Sequence, residues 1–269
     1  MKNNGKYLIT YCLSDIGRIR TNNEDSYLFK ELNLFENTPS FLHVVADGMG
    51  GHLGGEVASS EVIEAIQHYF DKNDSSSISA LLKEAIKFAN QRIFDESTEN
   101  SKLNGMGTTC TALYIVANQC YVAHVGDSRA YLVRGGEIQR LTKDHTVAQK
   151  MLEEGVVSDQ EAMVIPQRNV LLRAVGINPE IQVDVLPPFD VLFNDIFVLC
   201  SDGLTEYLND DEISSLVMEY DPTEACEKMV DIANERGGAD NITVQVSRVL
   251  EGKNNLSTIM SRVRNFFLK

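Results

Sequence analysis

Apolar residues recur at helical spacing in two neighbouring segments, residues 56–70 and 78–94. The apolar positions are Val57, Ala58, Val62, Ile63 and Ile66 in the first segment and Leu81, Leu82, Ala85, Ile86, Ala89 and Ile93 in the second. Side chains three and four residues apart share one face of a helix. We therefore predict two successive helices that pack as a pair and are joined by a polar loop at residues 71–77.

Short apolar runs predict β-strands around this helical pair. The runs are residues 41–46, 108–117, 120–125, 130–133, 138–141, 196–200 and 241–250. Residues 118–119 and 134–137 are typical of hairpin turns, and residues 210–219 and 223–236 predict two more helices. Because hairpins outnumber β-α-β units, the pattern predicts an α+β fold in which antiparallel sheets form a sandwich flanked by helices.

Two segments lie outside this pattern. Residues 144–176 interrupt the strands and contain a short predicted helix at 147–154, so we interpret them as a flap beside the sheet, because long excursions are often functional. Residues 252–269 place apolar side chains at helical spacing beside Arg262, Arg264 and Lys269. We interpret this tail as a terminal helix docked on the body, with a membrane or partner contact as the alternative. Residues 1–251 then form one domain.

The composition is that of an ordinary globular protein. The 269 residues include 24 Lys and Arg against 39 Asp and Glu, a net charge of −15. This balance argues against a nucleic-acid partner, because binding phosphate backbones needs a basic surface. We find neither an apolar run of membrane-spanning length nor a signal-peptide pattern, and the five cysteines contain no Cys-x-x-Cys pair. We expect a cytoplasmic protein with reduced thiols, by default a monomer.

Carboxylates recur where the predicted strands end or begin. The positions are Asp47 before Gly48, Asp127 after Gly126, Asp202 before Gly203, Asp240 before the last strand, and the pair Glu24 and Asp25 near the N-terminus. One Asp-Gly pair is ordinary turn chemistry. Adjacent strands, however, can bring their ends to one place, where unpaired carboxylates would repel one another and their pKa values would rise.

A hard divalent cation would remove that repulsion. Mg²⁺ and Mn²⁺ prefer carboxylate, carbonyl and water oxygens, and zinc fits less well without a Cys/His cluster. Two such ions about 3.5–4 Å apart would convert a bridging water to hydroxide and bind phosphate oxygens. Arg20 is the best-placed arginine to pair its planar fork with phosphate. The pattern favours metal-dependent hydrolysis of phosphate esters.

Six motifs follow one another between about residues 14 and 246. They are SDIGRIRTNNED (14–25), DGMGGH (47–52), GMGTT (105–109), VGDSR (125–129), SDGL (201–204) and GADNIT (238–243). With this order and spacing the chain resembles the type 2C protein phosphatases, metal-dependent serine/threonine phosphatases, in the compact single-domain form known from bacteria. The resemblance implies a β-sandwich flanked by pairs of helices, with the metals in a cleft at one end.

The resemblance also implies a role for each motif residue. Asp47 would bridge two Mn²⁺ or Mg²⁺ ions, the Gly48 carbonyl would bind one, and Asp202 and Asp240 would complete the shell. The remaining implied roles are water orientation for Glu24 and Asp25, phosphate binding for Arg20, and a third, weaker metal for Asp127. A hydroxide bridging the two ions would attack phosphoserine or phosphothreonine directly, without a covalent phosphoenzyme. The implied partners are phosphoproteins, and we expect a cognate Ser/Thr kinase.

Two positions depart from the family pattern. Animal members carry a His directly after the first Asp-Gly, read as the general acid. Here that residue is Met49, as in bacterial members, so nearby His52 is the candidate, with a metal-bound water or a structural role for His52 as alternatives. Glu206 stands where many members have an Asp that helps to bind the third metal. It keeps the charge but reaches further.

Two other functions compete with this one. Cys12 and Arg18 have the Cys-x5-Arg spacing of cysteine phosphatases, but no clear helix follows to cradle phosphate, so we interpret the spacing as coincidence. The second is a catalytically weak or inactive phosphatase fold that acts as a regulatory or binding module. Loss of a metal ligand would indicate it, whereas Asp47, Asp202 and Asp240 are all present.

Overall fold

The structure is a computed structural model that describes residues 7–35, 38–50, 54–73, 77–116, 118–162 and 165–250. Its strands are β1 (Leu8–Asp15), β2 (Asp25–Phe35), β3 (Thr38–Met49), β4 (Gly107–Thr108), β5 (Cys110–Val116), β6 (Gln119–Val125), β7 (Arg129–Arg134), β8 (Glu137–Arg140), β9 (Asp184–Val185), β10 (Phe189–Asp190), β11 (Ile196–Cys200) and β12 (Ile242–Val249). Its helices are α1 (Gly54–Lys72), α2 (Ile78–Glu99), α3 (Val147–Glu153), α4 (Asp159–Ala162), α5 (Asp202–Thr205), α6 (Asp210–Glu219) and α7 (Pro222–Glu235).

The strands form two sheets in which hydrogen-bonded neighbours run antiparallel. One sheet has the order β1-β12-β11-β7-β8. The other has the order β10-β6-β5-β3-β2, with β4 paired to β3 and β9 paired to β6. Short hairpins join several neighbours in the chain, such as β5 to β6 and β7 to β8. The prediction of an α+β fold built on antiparallel sheets is therefore confirmed.

Three apolar clusters stack these elements into four layers. Val44 faces α1 and α2, whereas the next residue, Val45, faces the opposite sheet. On the other sheet Val198 faces α6 and α7, and Leu199 faces inwards. Successive side chains of a strand point to opposite faces, so central strands covered on both sides need apolar residues at every position. That requirement explains the continuous apolar runs by which these strands could be predicted.

The end of β3 differs from the prediction. The apolar run 41–46 was expected to end before Asp47, but β3 continues to Met49, because Gly48 and Met49 pair with Thr108 and Gly107 of β4. Asp47 therefore lies within an ordered ladder. Its backbone is held on both sides, which fixes the position of its side chain.

The flap is partly helical. The flap holds α3, as predicted, and a second short helix, α4, which was not predicted. His52 and the tail at residues 252–269 lie outside the described residues. Among the helices of the described ranges, none has the length and hydrophobicity needed to cross a bilayer.

Candidate active site

Aspartates from both sheets converge at one end of the sandwich. The group consists of Asp25, Asp47, Asp127, Asp202 and Asp240. Asp25 and Asp47 are direct partners in the β2–β3 ladder. Ser201, the residue before α5, donates a hydrogen bond to Asp25 Oδ2 at 2.7 Å, so the first residue of α5, Asp202, lies beside this pair. The two sheets are thereby joined at the point where their carboxylates meet.

Asp240 enters the group because α5 packs tightly on the start of β12. A Cβ atom built on Gly203 would lie 2.1 Å from the Asn241 carbonyl oxygen and 3.4 Å from Asp240 Cβ. Any larger residue at position 203 would push the helix away from β12. The glycine of this Asp-Gly pair thus brings the Asp202 and Asp240 backbones close together, and does more than form a turn.

Gly48 serves a similar purpose on the other sheet. A Cβ at this position would lie 2.0 Å from the Gly55 carbonyl oxygen and 2.6 Å from the Glu24 carbonyl oxygen. The Gly48 N–H donates to that Glu24 oxygen at 3.0 Å. The end of β3, the start of α1 and the segment before β2 therefore meet at one point, which brings Glu24 next to the Asp47–Gly48 pair.

Two threonines of the GMGTT motif hold the Asp47 backbone. The Thr108 hydroxyl donates to the Asp47 carbonyl at 2.9 Å, and the Thr109 hydroxyl accepts from the Asp47 N–H at 2.9 Å. Thr109 Oγ1 also lies 2.7 Å from Ser128 Oγ, which ties Asp47 to the loop that carries Asp127. Neither threonine was assigned a role from the sequence, although both stand in a motif.

The carboxyl groups of this cluster are costly to ionise together. Burial, the largest cause, and repulsion between neighbouring carboxylates raise the pKa values of Asp25, Asp47, Asp127 and Asp202. The pKa of Asp25 rises to about 7, even though hydrogen bonds from Thr243 and Ser201 act in the opposite direction. Such mutual repulsion is the condition that a bound cation relieves.

The donor atoms suit a hard cation. Asp25 Oδ1 and Asp202 Oδ1 are buried and have no hydrogen-bond partner among the described residues, although buried polar atoms are normally paired. Carboxylate oxygens are the ligands that Mg²⁺ and Mn²⁺ prefer. As placed, however, no three His, Cys, Asp or Glu side chains of the described residues surround a common point as metal ligands would.

Neighbouring charges act on the carboxylates of the cluster. Arg20 Nη2 donates to Asp240 Oδ2 at 2.7 Å, and repulsion from Asp202 is among the causes that raise the pKa of Asp47. The residues that converge therefore fit divalent metals by their chemistry, and two of their buried carboxylate oxygens are left without a hydrogen-bond partner in the part of the chain that the structure describes.

A groove of about 880 Å³ leads away from the aspartate cluster beneath the flap. Asp127, Asp202 and Glu206 line the end that borders the cluster, and flap residues including Arg168 line the wall. Arg168 Nη2 lies 3.2 Å from Glu206 Oε1. Glu206, the candidate ligand for a third metal, is thus engaged with the flap, whose residues line the groove.

The cysteine-phosphatase alternative gains no support from Cys12. This residue lies in β1, opposite Gln245 of β12, and burial raises the pKa of its thiol to about 12. A nucleophilic cysteine needs the opposite shift, because the thiolate is the reactive form. The Arg18 backbone N–H donates a hydrogen bond to the Gly238 carbonyl oxygen at 2.7 Å. The spacing of Cys12 and Arg18 does not build a phosphate cradle.

Comparisons with known proteins agree with this geometry. A putative protein phosphatase 2C-type of Streptococcus pyogenes is 37% identical over 240 residues, which cover 86% of this chain and 93% of that protein. The serine/threonine protein phosphatase PstP of Mycobacterium tuberculosis is 36% identical over 238 residues, or 88% of this chain. The match spans 44% of the length of that mycobacterial protein.

The fold is shared with a solved structure as well. The crystal structure of the PstP catalytic domain in complex with two manganese ions matches with a TM-score of 0.80 and 34% identity, covering 91% of this chain and 99% of that one. The family model described as Protein phosphatase 2C matches residues 10–154, more than half of the chain. These matches confirm the resemblance that the six motifs indicated, and the chain belongs to the protein phosphatase 2C family.

Proposed function

We propose that this chain is a protein serine/threonine phosphatase that requires two divalent metal ions. The observation that carries the proposal is the convergence of five aspartates, four of them with raised pKa values, with Arg20 at their rim. The mycobacterial relative, which is named as a serine/threonine protein phosphatase, supports the substrate class. The substrates are phosphoproteins, which a cognate Ser/Thr kinase would supply in a signalling role in the cytoplasm. The active form is a monomer.

Each residue of the cluster has a place in the proposed metal centre. Asp47, the Gly48 carbonyl and the Asp202 and Asp240 carboxylates would hold two Mn²⁺ or Mg²⁺ ions, and Glu24 and Asp25 would orient water at that centre. Asp127 and Glu206 would help to hold a third, weaker ion. When bound, such ions activate a water molecule for direct attack on phosphorus and neutralise phosphate charge.

The chain itself binds and orients the substrate. Arg20 pairs with phosphate oxygens through its planar fork, which a point charge cannot reproduce. The threonines that hold the Asp47 backbone keep the site rigid, and positioning of this kind accounts for a large share of a lowered barrier. We assign the protonation of the leaving oxygen to His52 or to water.

The direct test is hydrolysis of p-nitrophenyl phosphate and a phosphothreonine peptide with Mn²⁺, with Mg²⁺ and with EDTA. We expect turnover that needs the metal and falls by about 1,000-fold in Asp47→Asn, because metal-borne charge stabilisation amounts to several kcal/mol. Asp71→Asn, an exposed aspartate paired with Lys30, is the matched control and should keep wild-type rates. Wild-type rates in metal-loaded Asp47→Asn would contradict the proposal.

The alternative is a catalytically weak or inactive phosphatase fold that acts as a binding module. The same assay separates the two functions, because such a module would show no metal-dependent turnover on either substrate. Turnover that needs no metal and is blocked by a thiol reagent would instead indicate a cysteine phosphatase with Cys12 as its nucleophile.

A further inference from the structure

Arg20 lies on an exposed loop that has little buried surface of its own. Arg18, Ile19, Arg20 and Thr21 are all exposed, and Ile19 keeps 69% of its surface. A segment with so few apolar contacts opens at a low free-energy cost unless hydrogen bonds hold it. The position of the Arg20 guanidinium therefore depends on how the two ends of this loop are fixed.

One side chain joins both ends. The Asn241 amide Nδ2 donates to the Ile16 carbonyl and to the Asn22 carbonyl, each at 2.9 Å. Its Oδ1 accepts from the Glu24 N–H at 2.8 Å. The amide NH₂ group must face the two carbonyls and the amide oxygen must face the N–H, so the side chain has one orientation that satisfies all three partners. Asn241 is 4% exposed, and all three of its side-chain partners are backbone atoms of the segment that surrounds Arg20.

Asp240 and the Asn241 backbone make further contacts with the loop. Gly17 adopts a positive φ of 82°, and a Cβ there would lie 2.2 Å from the Asp240 carbonyl oxygen. The Asn241 backbone N–H donates to Asp240 Oδ1 at 2.8 Å, and Arg20 pairs with the other oxygen of that carboxylate. Asn241 thus orients the loop and also the aspartate on which Arg20 rests.

We propose that Asn241 is a positioning residue for phosphate binding, acting through Arg20. The inference rests on the proposed function, because it assigns Arg20 to the substrate phosphate. The Asn241 side chain holds the two ends of the 17–21 loop together. The loop is therefore already ordered when the guanidinium binds phosphate, and binding does not carry the entropic cost of ordering it. Loss of the amide leaves Arg20 present but misplaced.

The first test is the inhibition constant of inorganic phosphate for the Mn²⁺-loaded enzyme. Asn241→Ala should raise this constant about tenfold, since small misplacements of a binding group have large effects. Asn90→Ala is the matched control: Asn90 is 1% exposed and makes the same set of bonds, to the Asn178 and Pro179 carbonyls and from the Gly176 N–H. It should lose thermal stability without weakening phosphate binding. Equal phosphate constants in Asn241→Ala and the wild type would overturn the inference.

A double-mutant cycle shows whether the effect passes through Arg20. In an Arg20→Ala background, Asn241→Ala should change the phosphate constant by less than about twofold, because coupled residues are not additive. A full tenfold effect in that background would overturn the inference. So would a matching loss of Mn²⁺ affinity, which would mean that Asn241 acts through Asp240 and the metals. Asn241→Ser replaces Asn241→Ala if the alanine variant does not fold.

Trypsin provides a readout that needs neither metal nor turnover. The loop contains two trypsin sites, Arg18 and Arg20. Loss of the Asn241 amide should free the two ends of the loop and make cleavage at these sites about tenfold faster in native Asn241→Ala, since local opening exposes the chain to proteases. Asn90→Ala should show no such increase. Equal cleavage in the two variants would overturn the inference. Failure of the proposed function has a different signature, which is absence of metal-dependent turnover in the wild-type protein.

Discussion

Arg20 is paired with a carboxylate in the structure and still has an open side. Arg20 Nη2 donates a hydrogen bond to Asp240, while the Arg20 side chain remains 47% exposed. A guanidinium carries five N–H groups in a fixed fork, so a phosphate that reaches the rim of the cluster can be bound from the open side. An exposed ion pair of this kind contributes little to stability, which points to a role in binding.

Arg20→Ala should raise the KM for a phosphothreonine peptide by about 10- to 100-fold, the equivalent of losing a hydrogen bond to a charged group. Arg20→Lys should recover little of it, because lysine keeps the charge but lacks the planar fork. Arg18→Ala, on the same exposed loop, is the control and should leave KM unchanged. An unchanged KM in Arg20→Ala would remove this residue from phosphate binding.

Residue roles could be predicted where the sequence repeats a signal. Asp47 and Asp202 stood out because each follows an apolar run and precedes a glycine. Asn241 and Thr109 could not be predicted, because their partners are remote in sequence: Asn241 lies 225 residues from Ile16. Their motifs, GMGTT and GADNIT, mark both residues, but a local pattern does not tell which distant backbone atoms a side chain will hold.

Strands and helices could be predicted where one or both of their faces are buried along the whole element. The run 196–200 coincides with β11, and residues 210–219 coincide with α6. β1 and β2 were not predicted. β1 has mostly half-buried positions, and β2 includes Lys30 and Glu31, so neither shows a clean apolar run. The two-residue strands β4, β9 and β10 are set by their partners, as in the pairing of β4 with the end of β3.

The β3 strand carries a buried histidine that should make the fold sensitive to acid. His43 is fully buried beside Phe29, with ring centroids 4.9 Å apart, and burial lowers its pKa to about 4. The unfolded chain takes up this proton near pH 6.5. Between about pH 6.5 and 4 the unfolded state binds more protons, so the free energy of unfolding falls as the pH falls.

His43→Leu should flatten this acid dependence by about 1 kcal/mol per pH unit within that window. The measurement is urea unfolding at pH 7, 6 and 5 for both proteins, comparing slopes because repacking shifts the absolute stability. Parallel pH profiles for His43→Leu and the wild type would contradict the assignment.

At the scale of the whole molecule, the four layers place the aspartate cluster where both sheets end. The hairpin pattern predicted a sandwich, but it did not predict that β12 lies between β1 and β11. This pairing joins residues more than 200 positions apart, such as Leu8 and Val249, and it brings Asp240 to the site. The domain bounds at 1–251 and the docking of the tail remain proposals.

The charge of the cluster should govern stability when metal is removed. The pKa of Asp25 is raised to about 7, above the value of about 4 for an unfolded aspartate. Between these values the folded state binds more protons, so the free energy of unfolding of the metal-free protein falls as the pH rises from about 4 to 7. Mn²⁺ should offset this loss by binding the folded state.

Melting temperatures in EDTA at pH 5.5 and 7.5 check the point. Asp25→Asn should lose less stability than the wild type between these two values, because it lacks the titrating carboxyl. Mn²⁺ should raise the wild-type melting temperature more at pH 7.5 than at pH 5.5. Equal pH dependence in Asp25→Asn and wild type would contradict the electrostatic account.

The most direct measurement is anomalous diffraction from crystals of the Mn²⁺-bound protein, because it locates the metals themselves. The account predicts two anomalous peaks about 4 Å apart, on either side of the Asp47 carboxylate and within ligand distance of Asp202 and Asp240. Absence of a peak at Asp47 in crystals of active, Mn²⁺-loaded protein, or metal bound solely elsewhere on the chain, would contradict it.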